Sequence, residues 1–362
     1  MDDIQNKFRA TFILHALGDT IGYKNGEWEF NYYNNLADYR TTLDIVFDFI
    51  SLGGITDIDL KDWKVSDDTL FHIAICKALL KDKISNEDVK QILKETVDEI
   101  AIDESNKIFR GIGLTTFKSL TEDKYSVAYS GGNGVAMRSL CIGLAFNKKE
   151  DINKLIKFSI ETGKITHKNP IGFLGGLSTA YFTHLAINKI PIEKWPKKLI
   201  DLVESEEIIK YIDKDNFTIY SEYRQFLSLW KKYVELRFKD DKPIYTKSHK
   251  NLIFRTKFFY DFKKNYDTFD KTVNYNTIGG SGVTAVLMAY DALLDSGDSW
   301  EKLIYYAMLH VGDSDTVGAI AGGLYGTMYG DTEIPVNLLK YLEKKEELIN
   351  LSEKLYVKYY NK

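Results

Sequence analysis

Two short acidic clusters, far apart in the chain, carry the most evident chemistry. W-K-V-S-D-D-T-L-F-H at 63–72 sets Ser66, Asp67, Asp68 and Thr69 at a predicted helix start. H-V-G-D-S-D-T-V-G-A-I-A-G-G-L-Y-G at 310–326 sets Asp313, Asp315 and Thr316 before a run that is almost wholly small and apolar. Alone, the first cluster reads as ordinary capping, with Ser66 as the N-cap. The second changes that reading. Gly318, Gly322, Gly323 and Gly326 cost helix propensity and invite close backbone approach, so this helix is expected to be central. Acids at its mouth would then be enclosed, and buried carboxylates need cations or protons. No equivalent run of Lys or Arg lies nearby. An all-oxygen donor set suits Mg2+ or Mn2+ rather than structural zinc. Two such ions could orient substrate oxygens and activate water, which favours a hydrolase over a passive scaffold. His72 and His310 read as packing histidines.

Glycine loops supply a second ingredient. S-G-G-N-G-V-A-M-R at 130–138 is neither a Walker A loop nor a dinucleotide fingerprint. Gly131, Gly132, Asn133 and Gly134 precede a predicted helix at 134–146, where converging N–H groups could receive a phosphate and Arg138 could reinforce it. In isolation, a glycine-bearing turn followed by a surface arginine explains it as well. N-T-I-G-G-S-G-V-T-A at 276–285 repeats the logic with Gly279, Gly280, Ser281 and Gly282. Two anion-capable loops suit a diphosphate. I-T-H-K-N-P-I-G-F-L-G-G at 165–176 places His167 and Asn169 before a third tight helix. Near the start, G-D-T-I-G-Y-K-N-G-E-W-E-F at 18–30 reads as a loop carrying Glu29. Gly18, Gly22 and Gly26 would form its tight turns, Asp19 would cap or anchor it, and Trp28 would pack.

The elements that must position these groups are helical. Apolar periodicity predicts helices over 6–17, 67–80, 86–100, 134–146, 172–187, 301–310 and 315–328. Strand alternation is scarce: 220–229 is ambiguous and 243–254 is broken. The expected architecture is all-α, a compact single domain over 1–362. The charge- and aromatic-rich segment near 190–275 reads as an elaboration of that body, because candidate site residues lie on both sides of it. Hydrophobic residues make up 44% of the 362 and aromatics 14%, which supplies a packed core. A net charge of -4 implies no general affinity for nucleic acid. Cys76 and Cys141 sit in apolar contexts without metal spacing, as in a reducing compartment. With no secretory pattern and no membrane-length apolar run, the expectation is a cytoplasmic monomer without membrane contact.

Taken together these motifs resemble the ADP-ribosylglycohydrolase family, and most closely its ADP-ribosylarginine hydrolase branch. The resemblance rests on the stretches at 18–30, 63–69, 131–144, 166–176, 289–300 and 310–322, in family order and spanning nearly the whole chain. It implies an all-α hydrolase fold with a binuclear magnesium cleft. By motif position, Ser66, Asp67 and Asp68 form one ligand group, and Asp313, Asp315 and Thr316 the other. Manganese could substitute. The implied substrate is an ADP-ribosylated protein or ADP-ribosyl-arginine, cleaved at the anomeric carbon of the distal ribose to ADP-ribose and arginine. Gly131–Gly134, Arg138, His167, Gly280 and Ser281 are the implied ligand contacts. Asp67, Asp68 or Asp315 is expected to help deprotonate water. Glu29 is expected to orient the water, contact the arginine leaving group or gate the metal centre, and a carboxylate suits a guanidinium. A hydrolase of serine-linked or other ADP-ribosyl adducts is the alternative reading, and a non-catalytic ADP-ribose-binding protein is a third.

Overall fold

The computed structural model describes residues 3–31, 39–105, 110–122, 130–245, 250–267 and 278–360. Its longer helices, labelled in chain order, are α1 (Asp3–Tyr23), α2 (Thr42–Ser51), α3 (Asp67–Leu80), α4 (Asn86–Ser105) and α5 (Leu114–Thr121). They continue with α6 (Leu140–Ala145), α7 (Ile152–Lys164), α8 (Pro170–Ile187), α9 (Trp195–Val203) and α10 (Phe217–Arg237). The last four are α11 (Leu252–Tyr266), α12 (Gly282–Ser296), α13 (Ser314–Tyr329) and α14 (Lys345–Tyr359). Among the described residues the sheet content is one two-stranded ribbon, Phe238–Lys239 with Lys242–Pro243. The expected all-α class is what the structure shows.

At the centre, α1 and α13 run antiparallel with their backbones in near contact. A Cβ at Gly18 would lie 2.1 Å from the Gly318 carbonyl oxygen, and one at Gly22 would lie 2.2 Å from that of Ser314. Leu14 faces Gly322 and Ala10 faces Gly326 in the same register. This corrects the reading of residues 18–23 as loop. They form the end of α1, and Gly18 and Gly22 serve helix contact rather than turns. Of the three glycines in that stretch, Gly26 alone takes a left-handed φ, at 84°. α1 is buried nearly all round, as is α13 apart from its last turn, so neither shows the one-sided pattern of a surface helix.

One hydrophobic cluster runs from Phe8 to Tyr356 and includes residues from Trp195 to Phe262. Phe182 of α8 packs against Trp195 at 5.3 Å, Trp230 at 5.6 Å and Tyr290 at 5.6 Å between ring centroids. The ambiguous stretch 220–229 lies inside α10, whose inner face buries Tyr223, Phe226, Leu227 and Trp230. The broken stretch 243–254 ends the ribbon and begins α11. Residues 246–249 within it lie outside the described residues, as do 268–277, with Asn276 and Thr277 of the second glycine loop. The predicted 301–310 helix is a short α turn, Trp300–Leu303, leading into a wide π turn, Ile304–Met308. Among the described residues no helix is long and apolar enough to cross a membrane.

Candidate active site

The α1–α13 pairing brings the C-terminal half of α1 beside the N-terminus of α13, and α3 begins against both. Asp19 of α1 joins them. Its carboxylate accepts from the Ser66 N–H at 3.0 Å, the Thr69 N–H at 3.2 Å and the Thr69 hydroxyl at 2.5 Å. Ser66 caps α3 as expected, its hydroxyl accepting from the Asp68 N–H at 3.1 Å. Asp19 is therefore an anchor for the first acidic cluster, and burial, against these hydrogen bonds, pushes its pKa up to about 6.

The distant clusters meet at one cleft of about 840 Å³, lined by Glu29, Asp67, Asp68, Asp313, Asp315 and Thr316 among others. All five acids are at most 5% exposed. Carboxylate oxygens of Glu29, Asp313 and Asp315 lie within 4.8 Å of one another, a group that could hold a metal ion. Asp313 is steadied by the Asn133 side-chain amide, which donates to it at 2.8 Å, and Asp315 by the Thr316 N–H at 2.8 Å. Burial first, and then the neighbouring negative charges, push Glu29, Asp67, Asp68 and Asp315 well above the usual carboxylate range. Glu29 Oε2, Asp68 Oδ2 and Asp313 Oδ1 are buried without a hydrogen-bond partner. Among the described residues no lysine or arginine lines the cleft. Bare, crowded oxygens of this kind fit a hard divalent cation.

Glu29 is held near by its own loop. The Phe30 N–H donates to the Gly312 carbonyl at 2.9 Å, tying the loop to the turn that carries Asp313. Trp28 packs edge-on against Trp63 and Phe49, and its indole N–H donates to Asp48 at 2.9 Å.

The glycine loops behave differently from two separate cradles. They are joined: Gly132 and Ser281 form an antiparallel bridge, and the Gly282 N–H donates to the Gly131 carbonyl at 3.0 Å. Gly132, Asn133, Gly134 and Gly280 line the cleft, whereas Gly131 and Ser281 stand behind it. The Ser281 hydroxyl is engaged in a capping box with Thr284, 2.8 Å away, at the start of α12. The predicted helix at 134–146 begins only at Leu140, because Gly134–Arg138 form turns folded onto the Asn133 carbonyl. Ser66 also stands behind the wall.

Arg138 does not reach the cleft. It is 1% exposed, and its guanidinium donates to the Thr166 hydroxyl at 2.9 Å. That hydroxyl lies 2.8 Å from His167 Nδ1. With Arg138 donating to it, the Thr166 hydroxyl can donate to Nδ1, which leaves the proton of a neutral His167 on Nε2. Burial, with the Arg138 charge, depresses His167 to about 3, so the ring stays neutral. His167 lines the cleft as expected, and Arg138 acts on it through Thr166. His72 packs on His15 at 4.3 Å and Phe12 at 4.7 Å, in keeping with a core histidine.

R-G-I-G-L-T-T at 110–116 escaped the sequence reading. Gly111, Gly113, Leu114, Thr115 and Thr116 form a whole wall of the cleft. Gly111 has φ +75°, and a Cβ there would lie 3.3 Å from Glu29 Oε2. Two glycines around one isoleucine, just before a helix, were the available signal.

The ADP-ribosylglycohydrolase profile matches residues 1–362. The chain belongs to the ADP-ribosylglycohydrolase family. It is 32% identical to ADP-ribosylhydrolase ARH1 of Dictyostelium discoideum, over 97% of this chain and 94% of that protein. It is 24% identical to ADP-ribosylhydrolase ARH3 of Danio rerio, over 97% and 90% of the two chains. Among solved structures, an ADP-ribosylglycohydrolase-related protein complex superposes with a TM-score of 0.60 at 17% identity, covering 99% of both chains. That likeness concerns the fold. Family membership makes this a hydrolase whose substrates are ADP-ribosylated molecules.

Proposed function

We propose that this ADP-ribosylglycohydrolase removes ADP-ribose from arginine in a Mg2+-dependent hydrolysis. The observation that carries the proposal is the cluster of buried carboxylates, Glu29, Asp68, Asp313 and Asp315, three of them with an unpartnered oxygen, facing a cleft that no lysine or arginine lines among the described residues. The 32% identity to a protein named for ARH1 favours arginine as the restored residue.

Asp67, Asp68, Asp313, Asp315 and Thr316 would hold two Mg2+ ions, with Mn2+ as a substitute and Ser66 setting the turn behind them. When bound, the ions supply positive charge that fixes ribose hydroxyls and eases ionisation of water. The protein's own groups do the remaining work. The backbone at Gly132–Gly134 and Gly280 lets a diphosphate approach closely, and His167 offers its Nε2 proton to a phosphate or ribose oxygen. Oxygen of water bonds to the anomeric carbon as the bond to the guanidinium nitrogen breaks. A carboxylate among Asp67, Asp68 and Asp315 takes one proton from the water and returns it to the departing nitrogen, so arginine leaves as its guanidinium and the carboxylate is restored. Glu29 steadies the guanidinium, a cation before cleavage, through charge-assisted hydrogen bonds.

A panel of arginine- and serine-linked ADP-ribosyl proteins, each with Mg2+ and with chelator, tests this. Release from the arginine substrate, lost on chelation, is expected. Release from the serine substrate alone would transfer the assignment to the activity suggested by the ARH3-named relatives. Release indifferent to chelation would remove the metal from the mechanism.

A further inference from the structure

Asp67 and Asp68 open α3, and the stretch just before them, 63–66, is neither helix nor strand. The backbone N–H groups of residues 64–67 each have a partner from a different part of the molecule. Lys64 donates to the Asn25 side chain at 2.8 Å, Val65 to Glu343 at 3.0 Å and Ser66 to Asp19 at 3.0 Å. Asp67 donates to the Arg110 carbonyl at 2.8 Å. Val65 is held from both directions, because its carbonyl accepts from the Arg110 guanidinium at 2.8 Å.

The Val65 contacts belong to one ion pair. Arg110 and Glu343 meet through two bonds, 2.7 Å to Oε2 and 3.2 Å to Oε1. The Arg110 side chain is 4% exposed and that of Glu343 is 19% exposed, so water screens the pair little. The pair touches two walls of the cleft. Arg110 immediately precedes Gly111–Thr116, and the Gly113 N–H donates to Asp67. Val65 immediately precedes Ser66, Asp67 and Asp68. A planar guanidinium and a carboxylate in two-point contact fix both distance and tilt, which a single hydrogen bond does not.

We propose that Arg110 and Glu343 are positioning residues for the metal-holding turn: together they set where Asp67 and Asp68 stand relative to Asp313 and Asp315. The inference rests on the hydrolase reading above but names residues outside the cleft, one of them far along the chain beside α14. Ligand carboxylates must sit within about half an ångström of their working geometry, so a small drift of this segment lowers metal affinity and turnover before it unfolds anything.

The test uses the full-length protein with Glu343→Gln and Glu343→Ala. Far-UV circular dichroism and Tm establish that each variant is folded. Mn2+ binding to the metal-free protein is titrated by calorimetry, and steady-state cleavage of ADP-ribosyl-arginine is measured at saturating Mg2+. The expected result is a loss of Mn2+ affinity of about tenfold to a hundredfold in the alanine variant. A fall in kcat should exceed the change in KM, and glutamine, which keeps an acceptor for the Val65 N–H, should recover part of both. A folded alanine variant with Mn2+ affinity and kcat within twofold of wild type would overturn the proposal. Should alanine fail to fold, the same criterion applies to glutamine. If wild type binds Mn2+ without cleaving the arginine substrate, the functional reading fails while the affinity comparison still decides the role of the pair.

Discussion

Two groups of buried aspartates stand in this fold, and they are neutralised in opposite ways. On α12, Asp291 and Asp295 face Arg237 and Arg255 in a closed square. Arg237 bonds Asp291 at 2.7 Å and Asp295 at 2.9 Å, while Arg255 bonds Asp291 at 2.7 Å and also Asp295. The Tyr233 hydroxyl adds a bond of 2.6 Å to Asp291. Burial raises Asp291, but the charges of Arg255 and Arg237 outweigh it and hold the carboxyl below its usual range. In the cleft, equally buried acids have no such partner among the described residues, and their carboxyls are pushed up instead. One group joins α10 and α11 to α12. The other presents its oxygens to a cleft that no lysine or arginine lines among the described residues.

That contrast breaks most sharply by mutation. Asp315→Ala should lower turnover by at least about a hundredfold, since weaker supports of metal ligands already cost that much. The metal-free variant should be no less stable than wild type, because a crowded negative charge is gone. Asp291→Asn should behave the other way. It leaves two buried guanidiniums short of a carboxylate and should cost about 3 kcal/mol or more of stability. Its kcat at a temperature where it remains folded should change little. Thermal denaturation without metal, paired with steady-state kinetics, reads both. Should Asp315→Ala destabilise as strongly as Asp291→Asn, the two groups are alike and the cleft acids are structural.

Much of this was legible in the sequence, and the gaps have physical causes. The acidic clusters and the small-residue helix α13 were readable because Asp-x-Asp before a glycine-rich apolar run is hard to explain as surface. The end of α1 was misread because Gly18 and Gly22 signal both turns and helix contacts, and only the partner helix decides between them. Arg138 was placed in the cleft by chain proximity to a glycine loop, yet its side chain turns away towards Thr166. Ser281 was read as a ligand group although Thr284, three residues on, completes a capping box with it. The Arg110–Glu343 pair could not be read at all, since nothing local marks residues that meet only through the fold.

Acidity separates the two groups next. In metal-free protein, Glu29, Asp67, Asp68 and Asp315 have folded-state pKa values above their unfolded ones, so the folded state binds more protons. Their contribution to stability is fully present below the ordinary carboxylate pKa and is lost as pH rises through the raised values. For Asp19 the window lies between an ordinary value of 3.8 and about 6. Asp291 runs oppositely: its contribution is present above the ordinary value and is lost as pH falls through its depressed one. Tm measured without metal should therefore decline as pH rises from about 3.8 through about 6, the Asp19 window, and added Mg2+ should recover the upper end. Asp291→Asn should leave that decline in place while reducing the loss on the acid side, to which Asp48 and Glu343 also contribute. A metal-free Tm that climbs over the same range would show the cleft acids to be internally compensated.

The smallest effect tests whether Glu29 belongs wholly to the cleft or partly to the scaffold. Its neighbour Trp28 donates to Asp48, which also accepts from Lys24 at 2.5 Å, while the Lys24 ammonium lies 4.8 Å from the Trp28 ring centre. The Asp48 side chain is 41% exposed, so its ion pair is worth about 0–1 kcal/mol. Asp48→Asn keeps an acceptor for the indole N–H and removes the charge, and the bond from Phe30 to Gly312 still holds the loop on the far side of Glu29. Turnover of the arginine substrate should then fall by no more than about fivefold, with Tm nearly unchanged. Glu29→Gln, by contrast, should impair both substrate binding and turnover while leaving this anchor intact. If Asp48→Asn were as damaging as Glu29→Gln, the loop would owe its position to a surface pair rather than to the cleft. Glu29 would then belong with the arginine-locked acids in needing a protein cation, though one placed at a distance.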